Sequence, residues 1–318
     1  MGWLAGAGLG ALLGAVGAAL YLAVLTGSPG AAILAYLAQL PLFAAGLWLG
    51  VGAATAAGLT ASAILFAASD VLAAALFAGL YAAPVILLVR QALLARSGPQ
   101  GDPQGALQWY PPGLLTGWLA GLGLAGLAAA LLFFGGPDGI EASLHHLLAP
   151  VIDRFVDDSG AARDALTALL VLVIPGIVVG SWMMMTASNA ILAQGVLARF
   201  GLAWRPSPDL ATLILPNWIT LLLAIAAAAS IFGGGARFIG VNVMIVLALP
   251  ICLAGLAVLH ALARRLARPQ IPLAIFYVLA GLLGWPLLVI AVLGLLDAPL
   301  GLRRRFAQPR SVRGKVDD

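Results

Sequence analysis

Charged residues are scarce in this sequence: 16 Lys and Arg and 12 Asp and Glu make up 9% of its 318 residues. Soluble globular domains carry roughly 25% charged residues. Hydrophobic residues, in contrast, reach 63% here. The composition therefore excludes a soluble globular protein and predicts an integral membrane protein surrounded by the lipid bilayer. The net charge of +4 reflects basic loop ends and a basic tail, and it does not indicate a nucleic-acid partner.

Cysteine and catalytic motifs are also scarce. The single cysteine, Cys252, excludes a disulfide within the chain. The sequence contains no HExxH, no GxSxG and no P-loop, and no pair of carboxylates lies inside an apolar run. Glu141 and His145 are four residues apart, but two ligands do not make a metal site. We therefore expect no catalytic residues, no cofactor and no metal.

The abundant feature is a series of apolar runs of roughly bilayer length between residues 3 and 302. A helical span needs about 20 such residues, and these runs are apolar on all sides, as buried helices are. We predict an all-α fold: a polytopic transmembrane helical bundle of about eight spans plus a short C-terminal helical hairpin. One domain covers 1–302, and a basic cytoplasmic tail covers 303–318. The spans are expected at 4–26, 31–50, 52–69, 71–94, 113–134, 165–190, 210–232 and 238–263, the sixth continuing as helix to about residue 200.

The distribution of Lys and Arg predicts the orientation, because these residues collect in cytoplasmic loops. If the stretch 271–302 crossed once, 7 basic residues would lie inside and 9 outside; a hairpin turning at 284–286 leaves 13 inside and 3 outside. We therefore predict a hairpin with arms at 271–284 and 286–299, either re-entrant or a pair of short helices. Both termini are then cytoplasmic, in a bacterial inner membrane. No basic region precedes the first apolar run, so we expect a span there and not a cleaved signal peptide.

Residues 139–156 are the main element outside the predicted spans. Apolar side chains recur at helical spacing from Ile140 to Phe155, with charged residues on the opposite face. Asp138 followed by Glu141 is typical of a helix start. This pattern predicts an amphipathic helix lying on the outer membrane surface.

Polar side chains at membrane depth are costly and therefore informative. The candidate ligand-binding residues are Trp182, Met185, Thr186, Asn189 and Gln39. The first four lie within eight residues of the sixth span, where Trp182, Met185 and Asn189 share one helix face. Gln39 lies two residues before Pro41, which frees a backbone carbonyl that Gln39 or a ligand could meet. The alternative is a packed core with interhelical hydrogen bonds. Asp70, between two spans, is interpreted as the cap of the fourth helix.

Small residues recur every four positions on the first span. This small-residue ladder comprises Gly6, Gly10, Gly14 and Ala18. Such ridges let membrane helices approach closely, so the ladder is a candidate docking face for a membrane protein partner. Packing against another helix of the same chain is the alternative, because the motif does not say which helix it meets.

Several segments, spread over most of the chain, together form a pattern that resembles a known family. They are Gln39-Leu40-Pro41-Leu42, Asn189 to Gln194 with Arg199-Phe200-Gly201, Arg205 to Asp209 with Leu215 to Trp218, and Gly294 to Asp297 with Arg303-Arg304. Together they resemble the YybS-like family of bacterial membrane proteins, whose function is not established. The architecture is distantly similar to that of S components of energy-coupling-factor transporters and of the cell-shape protein MreD. The resemblance to S components implies that the small-residue ladder docks onto a transmembrane partner.

Two functions remain open at this level. The first is a binding or transport component for a small or lipid-like molecule, acting with a partner. The second is a non-transporting scaffold of the envelope, like MreD. An intramembrane enzyme ranks last, because no motif supports it.

Overall fold

The computed structural model describes residues 3–97, 107–134, 139–154, 160–210, 213–301 and 303. Within these residues, seven helices are long and apolar enough to cross a membrane, or eight if a bent pair near the C-terminal end counts as one span. This confirms the predicted all-α polytopic bundle. The chain forms two compact units, Met1–Pro208 and Asp209–Asp318. The sequence predicts a single domain to residue 302, because apolar runs of similar length occur on both sides of this division. The tail beyond residue 303 lies outside the described residues.

Unit 1 contains nine helices in the described residues. They are α1 (Trp3–Leu22), α2 (Pro29–Tyr36), α3 (Leu40–Leu49), α4 (Val51–Ala68), α5 (Val71–Phe77), α6 (Ala83–Ala92), α7 (Pro112–Phe134), α8 (Ile140–Ile152) and α9 (Ala161–Arg199). A short antiparallel pair, β1 (Ala95–Arg96) and β2 (Gln108–Trp109), lies between α6 and α7. Asp70 caps α5 as predicted, since its Oδ1 accepts the Ala73 N–H at 2.7 Å.

The closest helix contact in unit 1 joins α1 to α4. Gly10 faces the backbone of Ala53, and Gly14 faces the backbone of Ala57. Small residues on both helices let the backbones approach. Helices α3 and α4 are joined by Gly50 alone, whose φ of 97° is a conformation that favours glycine. The predicted third span is therefore α4, and one residue separates it from α3, the last helix of the predicted second span.

The predicted surface helix is α8, which follows Gly139 and is shorter than the 139–156 expected. Asp138 and Phe155 lie outside the described residues. Leu147 is 68% exposed, as a side chain facing lipid would be. The C-terminal end of α8 is tied to α9 by an ion pair between Asp153 and Arg163. Contact with lipid remains a prediction for this helix.

Helix α9 is the longest element, with 39 residues. At 1.5 Å per residue it measures about 58 Å, nearly twice a bilayer core of about 30 Å. It begins before the predicted span at 165–190 and ends at Arg199, so the predicted continuation to about residue 200 is confirmed.

Unit 2 contains four helices in the described residues. They are α10 (Asn217–Ile231), α11 (Gly234–Ala263), α12 (Gln270–Leu283) and α13 (Pro286–Leu300). The predicted span at 210–232 is too long: α10 has 15 residues, about 22 Å. The reason is Pro216, which is extended (ψ 138°) immediately before the helix. Close approach of α11 and α13 is allowed by Gly255, which faces Ile290, and Gly294, which faces Ile251.

The predicted C-terminal arms are present as α12 and α13. The break lies at Gly284 and Trp285, and the chain bends there by 119°. Gly284 has a φ of 70°, so a residue without a Cβ suits this turn. A re-entrant path of this pair remains a prediction.

Candidate functional site

The second predicted span is broken next to Gln39. Residues 37–39 separate α2 from α3, and the Leu40 N–H bonds to the Leu37 carbonyl at 3.0 Å. Pro41 has no N–H to continue the helical pattern. The Tyr36 carbonyl is thereby free to accept a bond from outside its own helix. A freed carbonyl is expected near this proline, and the structure has it at Tyr36.

The second break lies in the fourth span, where a π-helical turn, Ala78–Ala82, joins α5 to α6. Pro84 cannot donate to the Leu80 carbonyl four residues before it. That carbonyl accepts the Trp182 Nε1–H at 2.8 Å and the Gln39 Nε2–H at 3.3 Å. Turns of this kind occur frequently at functional sites. Two candidate ligand-binding side chains, distant in sequence, therefore meet at one carbonyl oxygen.

Asn189 connects α9 to the first break. Its Nδ2 donates to the Tyr36 carbonyl at 2.8 Å and to the Met185 carbonyl at 2.8 Å. Gln39, Trp182 and Asn189, with the carbonyls of Tyr36 and Leu80, form a group that we call the polar junction.

Met185 and Thr186 lie beside the polar junction on α9. The Thr186 hydroxyl donates to the Trp182 carbonyl at 2.9 Å, so it bonds its own helix. The Met185 side chain is 5% exposed. All five candidate ligand-binding residues are therefore in one region of unit 1.

Burial in the polar junction leaves two oxygens without a partner. Gln39 and Asn189 are both 0% exposed. Among the described residues, Gln39 Oε1 and Asn189 Oδ1 are buried and accept no hydrogen bond. The apolar runs that supply the junction, residues 31–69, 71–89 and 165–198, contain no Asp, Glu, Lys or Arg. The junction is thus polar and carries no side-chain charge from these runs.

A second polar cluster lies at the end of α9, around Arg205. Its guanidinium donates to the Ala92 carbonyl at 3.0 Å and to the Tyr110 carbonyl at 2.8 Å. Gln194 of α9 donates to the Arg205 carbonyl at 2.8 Å. Arg205 is 5% exposed, and this burial lowers the pKa of its guanidinium. The side chain ties together the ends of α6, α7 and α9.

Two residues of the small-residue ladder, Gly10 and Gly14, pack against another helix of the same chain. A Cβ at Gly10 would lie 2.5 Å from the Ala53 carbonyl oxygen, and one at Gly14 would overlap the backbone of Ala57. Ala18 is fully buried. These positions are occupied by α4 or by the core, so they are not free for a partner. Gly6 has nothing within 4 Å of its Cβ position, and partner docking remains a prediction there.

Unit 2 has its polar contacts near helix ends. Arg264 forms two hydrogen bonds with Asp209, at 2.6 and 2.9 Å, and this bonding raises the pKa of the guanidinium. Asp297 and Arg303 form an ion pair at 2.5 Å, and Arg303 also donates to the Leu213 carbonyl. In the described part of the chain, no group of three His, Cys, Asp or Glu side chains could hold a metal ion.

Two features of these sites escaped the sequence reasoning. The Leu80 carbonyl is a backbone group with no side-chain signal of its own, although Pro84 points to it. Arg205 is interpreted from sequence only as a basic loop residue. Its position between α9 and Pro206, in a segment of the resemblance, was the available signal.

The fold and the apolar surface define the class of this protein: a polytopic α-helical membrane protein. Residues 159–298 match a family described as predicted membrane protein (DUF2232). The match supports the resemblance to YybS-like membrane proteins at the level of a membrane protein family. It covers less than half of the chain and includes Trp182 and Asn189 but not Gln39. Comparisons with curated proteins and with solved structures gave no match.

Proposed function

We propose that this chain is a membrane-embedded binding or transport component for a small or lipid-like molecule, acting with a partner. Its ligand binds at the polar junction through Gln39, Trp182 and Asn189, with Met185 and Thr186 beside them. The bacterial inner membrane, cytoplasmic termini and a non-catalytic role belong to the same proposal. The observation that carries it is the pair of buried amide oxygens, Gln39 Oε1 and Asn189 Oδ1, that have no hydrogen-bond partner.

Unpartnered buried oxygens are expensive. Leaving a buried acceptor unsatisfied costs about 1–3 kcal/mol in proteins generally, and hydrocarbon offers no water to reduce this cost. Gln39 and Asn189 each carry one such atom within the same junction. Buried unsatisfied groups in native proteins call for a specific explanation. A ligand that donates to these oxygens supplies one.

The backbone around the junction supports the same proposal. Two spans are interrupted, at residues 37–39 and at the π-helical turn Ala78–Ala82. Interrupted spans near the bilayer midplane are a recurring feature of substrate sites in transporters, because irregular backbone at that depth is tolerated only inside protein or beside a cavity. Here both interruptions face polar groups of α9.

The scaffold function is the second candidate, and one observation favours it. The Asn189 and Trp182 donors are bonded to carbonyls of other helices, Tyr36 and Leu80. Such bonds hold helices together, and each is worth about 0.6 kcal/mol on average within a membrane. In a scaffold, the junction would only fix the helix breaks of unit 1.

The test compares Asn189→Leu with Asn242→Leu in the purified full-length protein. Both asparagines are fully buried, but Asn242 lies on α11, outside the polar junction, and its Nδ2 donates to the Phe238 carbonyl of its own helix, whereas Asn189 carries an unpartnered oxygen. Native mass spectrometry measures the co-purified small molecules, and thermal denaturation measures stability.

We expect a bound molecule in the wild type and in Asn242→Leu, and its loss in Asn189→Leu. Bound material that is unchanged in Asn189→Leu contradicts binding at the junction. Absence of bound material from all three proteins, with a slightly lower melting temperature for Asn189→Leu, favours the scaffold.

A further inference from the structure

We infer that the ligand of the polar junction is a neutral amphiphile whose polar end donates hydrogen bonds through a hydroxyl or N–H group. This inference rests on the proposed binding function and specifies its ligand class. Its starting point is that both unpartnered atoms, Gln39 Oε1 and Asn189 Oδ1, are hydrogen-bond acceptors.

The orientation of the two amides is fixed by their surroundings. The Asn189 Nδ2 lies 2.8 Å from both the Tyr36 and the Met185 carbonyl oxygens. Exchanging its nitrogen and oxygen would set three acceptor oxygens against one another. The Gln39 Nε2 is likewise placed against the Leu80 carbonyl at 3.3 Å. Because a carbonyl can only accept, each amide has to present its NH₂ group there and leave its oxygen for another donor.

Anionic ligands are poorly served by this site. The Trp182 indole N–H is bonded to the Leu80 carbonyl, and the Thr186 hydroxyl is bonded to the Trp182 carbonyl. Both hydrogens of the Asn189 amide have acceptors. A carboxylate or phosphate group would therefore approach two amide oxygens that repel it, and the second N–H of Gln39 would be its only donor among these side chains.

A permanent cation is also disfavoured. Acceptor oxygens attract cations, but the runs 31–69, 71–89 and 165–198 contain no Asp or Glu to balance a positive charge. Burying an unpaired charge costs far more than burying a neutral polar group. The donor on the ligand is therefore uncharged, which leaves hydroxyl and neutral N–H groups.

The remainder of the ligand is apolar. Met185, on the face of α9 that carries Asn189, is buried, and Leu42 and Phe43 of α3 are buried close in sequence to Gln39. Methionine side chains adapt their shape to irregular apolar partners. A molecule that places one donor at the amide oxygens meets hydrocarbon elsewhere, so an amphiphile fits better than a sugar or another fully polar compound.

The test uses three amphiphiles with the same oleoyl chain: monooleoylglycerol has hydroxyl donors, oleate is an anion, and methyl oleate has no donor. Each is added to the purified full-length protein in detergent, and the shift in melting temperature is measured. The proteins are the wild type, Asn189→Leu, Gln39→Met and the control Asn242→Leu, which changes an equally buried asparagine of α11 outside the junction. Gln39→Met keeps the side-chain length without the amide oxygen. It tests the same inference if Asn189→Leu does not fold. Co-purified molecules are identified in parallel by mass spectrometry of lipid extracts.

We expect monooleoylglycerol to raise the melting temperature of the wild type and of Asn242→Leu by several degrees, and to lose this effect in Asn189→Leu and Gln39→Met. Oleate and methyl oleate should give no shift that depends on these residues. An Asn189-dependent shift with oleate, or an anionic co-purified molecule that Asn189→Leu loses, overturns the inference but keeps the proposed function. Equal shifts with methyl oleate and monooleoylglycerol also overturn it. Absence of any shift and of any Asn189-dependent co-purified molecule overturns both.

Discussion

The contact between α1 and α4 gives the sharpest prediction, because the first helix contains a matched pair of glycines. A Cβ at Gly14 would lie 2.7 Å from the Ala57 Cα and 2.8 Å from the Ala57 carbonyl carbon, whereas ordinary contacts begin at 3.4 Å. A Cβ at Gly6 would have nothing within 4 Å. Both residues lie on the small-residue ladder of α1, so Gly14→Ala and Gly6→Ala differ mainly in what they meet.

The expected loss of stability in Gly14→Ala follows from the atoms that the new Cβ would meet. At Gly14 the obstacle is backbone, which cannot rotate away, so α1 has to retreat from α4. We therefore take the upper end of the usual overpacking range, about 3 kcal/mol. Alanine is a better helix former than glycine by about 1 kcal/mol, which leaves Gly14→Ala destabilised by about 2 kcal/mol. Gly6→Ala should be neutral or stabilised by up to about 1 kcal/mol.

Denaturation of the purified protein in mixed micelles, followed by tryptophan fluorescence, measures both variants against the wild type. Equal stability of Gly14→Ala and Gly6→Ala would refute the argument, since α1 and α4 would then not approach as closely as described. The same pair also tests docking. If Gly6 contacts a partner, Gly6→Ala reduces the amount of a co-purified subunit while leaving stability unchanged.

Three further predictions concern other parts of the chain. Arg205→Lys should destabilise the protein by about 1–3 kcal/mol, because one ammonium nitrogen replaces two guanidinium nitrogens that each bond a different carbonyl; a thermal melt identical to that of the wild type would contradict this. Spin labels at Leu147 and Asp153 should differ, with Leu147 protected from aqueous quenchers by lipid, and equal accessibility would rule out a surface helix of the predicted kind. Reporter fusions after Lys315 and after Arg268 should both report cytoplasm, and a periplasmic signal after Lys315 alone would mean that 271–302 crosses once.

Composition and run length were sufficient to predict the fold class, because a helix in lipid needs only a long enough apolar segment. They were less informative about where helices break. The break at residues 37–39 and the shortened α10 both depend on prolines, whose local effect varies with the neighbouring bonds. The division near Pro208 is not evident from hydropathy, since long apolar helices lie on both sides of it.

The candidate site was predictable as a set of side chains but not as an arrangement. Asn189 and Gln39 stood out because amides at membrane depth need partners. Their partners are the Tyr36 and Leu80 carbonyls, and a carbonyl is present at every residue of any sequence. Only the fold decides which ones lose their helical bonds and come within reach. The joining of Gln39 and Trp182 through Leu80 is therefore a tertiary property.

The length of α9 has a mechanical consequence. One helix carries the ion pair to α8 near its first turn, the amide of Asn189 in its C-terminal third and the bond from Gln194 to the Arg205 segment near its last turns. A hydrogen-bonded helix resists stretching along its axis, so a shift imposed at one end is transmitted along it. The α8 contact, Asn189 and the Arg205 segment are therefore coupled through one helix, and its one proline, Pro175, is the point at which that helix can bend.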